Sequence, residues 1–410
     1  MPRRETVRYL FCSFTTPGFL FPMAGLALEL RGRGHDVAFV SGPSAKPWLD
    51  EAGLSRLTCG PDEDRTFDVR LWGHVAVAAL GARQVEAAVG RFRPDVMVSH
   101  QLCEPAVLVR ERQGVPLAVL GLASYLWPVA RGYDLEAPPE VAARRQGHLT
   151  DNLRILNEAR AMFRLPPVEA GAADHPLLGD LFMLRTVPAL EPQLDDYPAQ
   201  VHAVGACLWE PPRDDAAAWA ALRARFALPD APLLYVQPGR GFGGPGFWPL
   251  LVEALRGEPV QVVASTARMD TALGEVPRNF VADGHVLQGP VLRRADAAAS
   301  GSTTAILGAA ACGVPSLVLP VSGERVTLTH LVESAGFGAR VDAAVDAEEL
   351  LYAVRRVMAS EALLRGARRA QAALAELDGF GAAADLVERL GREGGRVVRE
   401  EVVEAVPSLS

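Results

Sequence analysis

Ser300, Gly301, Ser302, Thr303 and Thr304 stand together where a short apolar run, Ala297–Ala299, meets a helix-like run, Thr303–Ala311. Amides at a helix start have no partner in the helix, and the aligned peptide dipoles make that end positive. A phosphate can seat there on amides and hydroxyls; plain N-capping by Ser and Thr uses the same residues. A second patch, Tyr235 to Gly246, joins a strand-like run to a loop with five glycines, among them Gly239, and Arg240. Such a loop can approach a ligand closely, and Arg pairs with a diphosphate. It lacks the Gly-Lys-Ser/Thr of a Walker A loop. A third patch, Leu319 to Arg325, offers Glu324 as an acceptor for hydroxyls and Arg325 as a counter-charge.

For proton transfer the sequence offers His100, at the end of Pro94-Asp-Val-Met-Val-Ser-His100, with Glu104 as a second choice. Imidazole suits proton transfer near neutral pH; a strand-end histidine hydrogen-bonded in place is the competing reading. Phe14, Phe19, Phe21, Trp72, Tyr125 and Trp127 supply surface for an apolar ligand or for ordinary core. Asp62-Glu-Asp64 resembles an acidic metal motif, but it lies in a Pro/Asp-rich loop far in sequence from the phosphate-type segment. The remaining histidines, from His35 to His330, show no close metal-ligand spacing, so no metal site is expected. His35 is read as a structural turn residue, and the others, His285 among them, as surface or packing residues. The five cysteines are scattered without a Cys-x-x-Cys pair, which fits reduced thiols in a cytoplasmic protein.

These residues need a scaffold, and short strands alternate with helices along most of the chain. Val7–Phe14, Asp36–Val40, Asp95–Ser99 and Pro116–Leu120 read as strands, with helices over Pro22–Arg33 and Glu104–Gln113. An irregular middle, Trp127–Gly179, holds a helical Thr150–Phe163 and suits a cap over an active site. A second series runs through strands Leu233–Gln237, Val260–Ser265, Val286–Leu287, Ala297–Ala299 and Ser316–Leu319. Helices are expected over Trp248–Arg256, Thr303–Ala311, Arg325–Ala335, Ala347–Met358, Glu361–Leu374 and Ala382–Gly391, before a frayed charged tail, Gly394–Ser410. The pattern predicts an α/β protein of two Rossmann-like halves with a cleft between them. Ligands of such sheets sit beyond the carboxyl ends of the strands.

Composition narrows the function classes. The 410 residues carry a net charge of −8 and no long basic run, so nucleic acid is not the expected partner. No apolar stretch approaches a membrane span, and the short apolar run after Met1-Pro-Arg-Arg4 breaks at Thr16-Pro-Gly18, unlike a signal peptide.

The order of the motifs resembles family 1 glycosyltransferases of the GT-B type, especially those of bacterial natural-product biosynthesis. Arg4–Val40 is similar to their opening, through Gly18-x-x-x-Pro22 and Arg33-Gly-His-Asp-Val37. Gly239-Arg240, Leu287-Gln288, Ser300-Gly-Ser-Thr-Thr-Ala305 with Gly313-Val-Pro315, and Glu324-Arg325 stand where that family places its donor-binding motifs, in the same order. The resemblance covers nearly the whole chain, although the single motifs are degenerate. It implies an acceptor domain over 1–208, a linker over 209–230, a nucleotide-sugar domain over 231–380, and a C-terminal helix over 381–410 that returns to the first domain.

The resemblance implies an inverting, metal-independent hexosyltransferase of antibiotic-type biosynthesis that needs no resident cofactor. Its donor is a UDP- or TDP-sugar, and its acceptor a small, largely apolar molecule. Val286, Leu287 and Gln288 would hold the base. Ser300, Gly301, Ser302, Thr303 and Thr304, with Gly239 and Arg240, would meet the diphosphate. Glu324 and Arg325 would hold the sugar. Thr16, Gly18, Phe19, Trp72, Tyr125 and Trp127 would line the acceptor site. One departure matters: Phe19 occupies the position of the family's usual base histidine, and Phe cannot take a proton. Either His100 or Glu104 serves instead, or the acceptor needs no base. A nucleotide-sugar epimerase of the same architecture and a non-catalytic partner of a transferase stand as alternatives. Monomer and homodimer both remain open.

Overall fold

The structure, a computed structural model, describes residues 6–60, 62–122, 139–169, 175–190, 197–212, 214–237, 247–266, 273–319, 324–341 and 345–399. The first half builds a six-stranded parallel sheet in the order β2-β1-β3-β4-β5-β6. Its strands are β1 (Arg8–Cys12), β2 (Asp36–Val40), β3 (Val96–His100), β4 (Leu117–Gly121), β5 (Leu181–Arg185) and β6 (Val201–Gly205). The second half builds another, in the order β12-β11-β10-β7-β8-β9. These are β7 (Leu233–Gln237), β8 (Gln261–Ser265), β9 (Phe280–Asp283), β10 (Ala297–Ser300), β11 (Ser316–Val318) and β12 (Gly338–Arg340). Read from its other edge, the second order is the Rossmann order, and the first reverses between β1 and β3.

Successive strand residues point to opposite faces, so each strand feeds two cores. Leu10 and Cys12 pack into one cluster of the first half, and Tyr9 and Phe11 into the other. In the second half Leu234 and Val236 face one cluster, and Leu233 and Tyr235 the other. A further apolar cluster joins the halves: Leu122, Val187, Leu190 and Ala206 meet Ile306, Leu307, Ala310, Phe337 and Leu374.

The helices in chain order are α1 (Pro17–Gly32), α2 (Lys46–Glu51), α3 (Val75–Phe92), α4 (Glu104–Gln113), α5 (Pro139–Met162), α6 (Asp215–Arg223), α7 (Phe247–Leu255), α8 (Gln288–Leu292), α9 (Thr303–Ala311), α10 (Glu324–Ser334), α11 (Ala347–Ala359), α12 (Glu361–Ala375) and α13 (Gly379–Glu393). Among the described residues, no helix is long and apolar enough to cross a membrane. α5, from the irregular middle, packs on α3 and reaches α10 of the second half. α13 packs on α1. Gly25 permits this contact, because a Cβ there would stand 2.2 Å from the Phe380 ring.

Four sequence expectations need correction. α1 begins at Pro17 rather than Pro22, because Pro17 takes the first helical position, where its missing N–H costs nothing. The helix then runs through Pro22, which leaves the Gly18 carbonyl without its helical donor. Val286–Leu287 is not a strand: Leu287 caps α8, and the edge strand is the β-forming run β9. α6 lies within the stretch expected to connect the halves, and it packs on α8. The tail does not fray at Gly394: Val397 is fully buried, and its N–H bonds the Asp180 carbonyl at 2.9 Å. Arg399 continues this, its side chain donating to the carbonyls of Val201 and Tyr197 at 2.6 and 2.9 Å.

Candidate active site

The strands that flank the two switch points bring the sequence motifs together. Cys12 of β1 pairs with Ser99 of β3, and Gln237 of β7 with Ser300 of β10. Beyond those carboxyl ends lies a cleft of about 330 Å³. Thr15, Thr16, Pro17 and Gly18 line it from the first half, and Gln237, Val286, Gln288, Ser302 and Thr304 from the second.

Two helix N-termini border this cleft. α9 follows Ser302, whose side chain makes no capping hydrogen bond, and α1 follows Thr16, whose side chain makes none either. The Ser300 hydroxyl is committed instead to the loop: it donates to the Gln237 carbonyl at 2.8 Å and accepts from the Ser302 N–H at 2.9 Å. The switch-point strands and the loop are thereby tied into one piece, while the positive end of α9 is left to a ligand. Gly301 takes no left-handed conformation; among the described residues here that falls on Gly313, with φ 69°.

The base-binding candidates sit on a loop held from two sides. The Val286 N–H donates to the Ser265 hydroxyl at 3.3 Å. Glu210 accepts from the N–H groups of Gln288 and Gly289 at 2.8 and 2.9 Å. Burial raises the Glu210 pKa in spite of those bonds. Val286 and Gln288 face the cleft, whereas Leu287 lines a groove on the other side. Glu324 and Arg325 open α10. Gly239, Arg240, Tyr125 and Trp127 lie outside the described residues.

His100 is enclosed, with 3% of its surface exposed. The Phe14 N–H points at Nε2 from 3.1 Å and the Leu102 N–H at Nδ1 from 3.2 Å. The rings of Phe14 and Phe19 cover it at 4.2 and 4.6 Å between centroids. Burial pushes its pKa down to about 3, so it is a neutral imidazole at physiological pH, whose one unprotonated nitrogen accepts from one of the two facing amides. Glu104 is buried too, and accepts from the Trp72 indole N–H at 2.6 Å. Burial lifts its carboxyl to about 7, opposed by hydrogen bonds from its own N–H and the indole. Neither Trp72 nor Glu104 lines the cleft. Phe19 and His100 line a small side cavity with Gly18, Gln101 and Arg185.

Sequence reasoning missed several cleft residues. Trp209 lines the cleft and, with Trp48 behind it and the Phe21 expected from the sequence, forms an aromatic cluster with His285, whose ring lies 5.3 Å from that of Trp48. His285 also lines the cleft, so its reading as a surface or packing residue is incomplete. Asp68 and Arg70 line the cleft as a local pair: Asp68 accepts from the Arg70 N–H at 2.8 Å. Arg185, at the end of an otherwise apolar strand, was marked only by being a cation in Leu-Phe-Met-Leu-Arg185. Among the described residues no group of His, Cys, Asp and Glu is arranged to hold a metal.

No family model matches the chain. It is 25% identical over 418 aligned residues to 4′-demethylrebeccamycin synthase of Lentzea aerocolonigenes, covering 92% of this chain and 98% of that protein. The calicheamicin glycosyltransferase CalG4 superposes with a TM-score of 0.67 at 23% identity, over 95% of this chain and 99% of its own. The Streptomyces glycosyltransferase SsfS6, in complex with thymidine diphosphate, superposes with a TM-score of 0.63 at 19% identity, over 93% and 99% of the two chains. With two six-stranded parallel sheets facing one cleft, the chain has the GT-B fold of these solved glycosyltransferases, and it is similar in sequence over nearly its whole length to a natural-product synthase.

Proposed function

We propose that the protein is an inverting glycosyltransferase that moves a hexose from a TDP- or UDP-sugar to a small, largely apolar acceptor, in the cytoplasm and without a metal. The observation that carries this is the uncapped N-terminus of α9, with Ser302 and Thr304 in the cleft opposite Thr16 and Gly18. A sugar C1–O bond that breaks adds negative charge to the departing diphosphate. Oriented amides and hydroxyls at α9 bind that charge more strongly in the transition state than in the ground state. The thymidine diphosphate in SsfS6 supports a thymidine donor by analogy. In this reading residues 1–208 hold the acceptor and 231–380 the donor, with Val286 and Gln288 against the base. An acceptor entering from the first half attacks the face of C1 opposite the diphosphate. That single displacement inverts the anomeric centre, and the work of the protein is positioning.

The test is transfer by purified, metal-stripped protein, with TDP- and UDP-hexoses and a panel of phenols and amines. The expected result is a glycoside of inverted configuration by NMR, with chelator making no difference. Retained configuration overturns the mechanism. Interconversion of the sugar nucleotide without an acceptor indicates an epimerase. Donor turnover that appears only with a co-purified protein points to an auxiliary role.

A further inference from the structure

Among the described residues, Arg185 is a buried cation without an anion. It is 4% exposed, and its Nε donates to the Ala206 carbonyl at 3.1 Å. Its Nη2 has no hydrogen-bond partner. The β5–β6 register shifts between Leu184 and Arg185, and such an irregularity commonly re-aims a side chain beside an active site. Here Arg185 lines both the main cleft and the side cavity. The Gln101 Nε2, also buried and without a partner, belongs to a side chain that lines the same cavity. That cavity is about 10 Å³, which is room for one water-sized atom. The imidazole of His100 beside it offers no acceptor, because its one unprotonated nitrogen faces a backbone amide, of Phe14 or of Leu102. Two side chains with a donor left unpartnered, one of them charged, therefore line a space the size of one oxygen. An unpaired buried cation is costly unless a ligand completes it.

We infer that Arg185 and Gln101 form a seat for an ionised oxygen of the acceptor, so that the acceptor binds as an aromatic phenolate. This rests on the proposed transferase function and names its substrate class. The anion is assigned to the acceptor because both donors stand on the first sheet, near the ends of β5 and β3, whereas α9 serves the diphosphate. The side cavity has room for the oxygen alone, so the ring lies in the adjoining cleft, where Phe21, Pro22, Leu208 and Trp209 supply apolar walls and Arg185 lines both spaces. The seat also removes the need for a base. The phenol loses its proton to solvent as it binds. The phenolate oxygen then forms a bond to C1, the C1–O bond to the diphosphate breaks, and its electron pair leaves with the nucleoside diphosphate. The aryl glycoside is neutral, so the seat releases it.

The experiment is calorimetric titration with 4-nitrophenolate and with its neutral ether, 4-nitroanisole, at one pH where the phenol is ionised. Each is run with and without TDP, on the wild type, Arg185→Met and Gln101→Glu. The wild type is expected to prefer the anion. Loss of a charge-assisted hydrogen bond in Arg185→Met should weaken nitrophenolate roughly 10- to 100-fold, and leave nitroanisole and TDP within about twofold. Gln101→Glu places a carboxylate beside the guanidinium and should abolish the preference while the fold is kept. Arg185→Met should also raise the thermal midpoint, because it removes an unpaired buried charge; a structural role predicts a fall. Equal binding of both probes by the wild type overturns the seat. So does a loss of TDP affinity alone in Arg185→Met, which reassigns the guanidinium to the donor. A wild type that holds nitrophenolate through Arg185 but ignores TDP keeps the seat and removes the donor reading.

Discussion

Phe19 stands where the family resemblance implies a base histidine, and among the described residues the geometry brings no free imidazole into its place. His100 is close enough to touch the Phe19 ring, but its nitrogens are turned toward the amides of Phe14 and Leu102. A general base is worth about 10²–10⁴-fold in rate. His100→Gln is therefore expected to change the transfer rate by less than about tenfold; a greater loss, with nucleotide binding intact, would restore His100 as the base. Burial also sets opposite pH dependences. His100 is lowered from 6.5 to about 3, so its contribution to stability is complete above 6.5 and lost as pH falls through the folded value. Glu104 is raised from 4.5 to about 7, so its contribution is complete below 4.5 and lost as pH rises through the folded value. Glu104→Gln should thus gain stability relative to wild type between pH 4.5 and 7, measured as urea midpoints across that range; a difference independent of pH contradicts this. The position of His100 at a strand end was legible in its sequence neighbourhood. Its enclosure was not, because Phe14 and Phe19 come from a segment distant in the chain. Arg185 escaped notice because one cation after four apolar residues has no motif around it.

α9 and its loop carry the donor side of the account at the level of elements. α11, by contrast, has a full capping box, with Asp346 accepting from the Glu349 N–H and Glu349 reaching back. α9 has the residue type for a cap in Ser302 but does not use it. Ser302→Asp should supply the missing cap and raise the stability of the free protein by about 0.5–2 kcal/mol. The same carboxylate should weaken TDP binding at least tenfold by competing for the amides and repelling phosphate. Thermal melts and calorimetry check the two halves of this expectation, and unchanged TDP affinity would place the phosphate elsewhere. Thr303–Ala311 was legible residue for residue, because a hydroxyl-rich start and a long Ala-rich run leave little choice. Val286–Leu287 was misread because a two-residue apolar doublet carries no period. The Gly289-Pro290 step within the first turn of α8 was the better signal, since Pro is tolerated there.

The whole molecule is held by contacts that no local pattern announces. The cluster of Leu122, Val187, Ile306, Leu307 and Phe337 glues the halves together behind the cleft. α13 and the segment through Arg399 return to the first half after the second is complete. Val397, fully buried, locks that return. Val397→Ala should cost roughly 1–2 kcal/mol, read as a lower denaturation midpoint, and should leave TDP affinity unchanged; no loss of stability would show the tail to be incidental. That the chain makes two β/α halves was legible from its alternating runs. The anchoring of its charged tail was not, because a Val-Val pair between arginines gains its value only from the pocket that Val397 fills. In the proposed function these contacts hold α9 where it can meet a diphosphate across from α1. The most direct test is calorimetric titration of the metal-free wild type with TDP and, separately, UDP. Micromolar binding of at least one is expected, lost on Ser302→Asp. Absence of binding by both would contradict the donor site on which the rest depends.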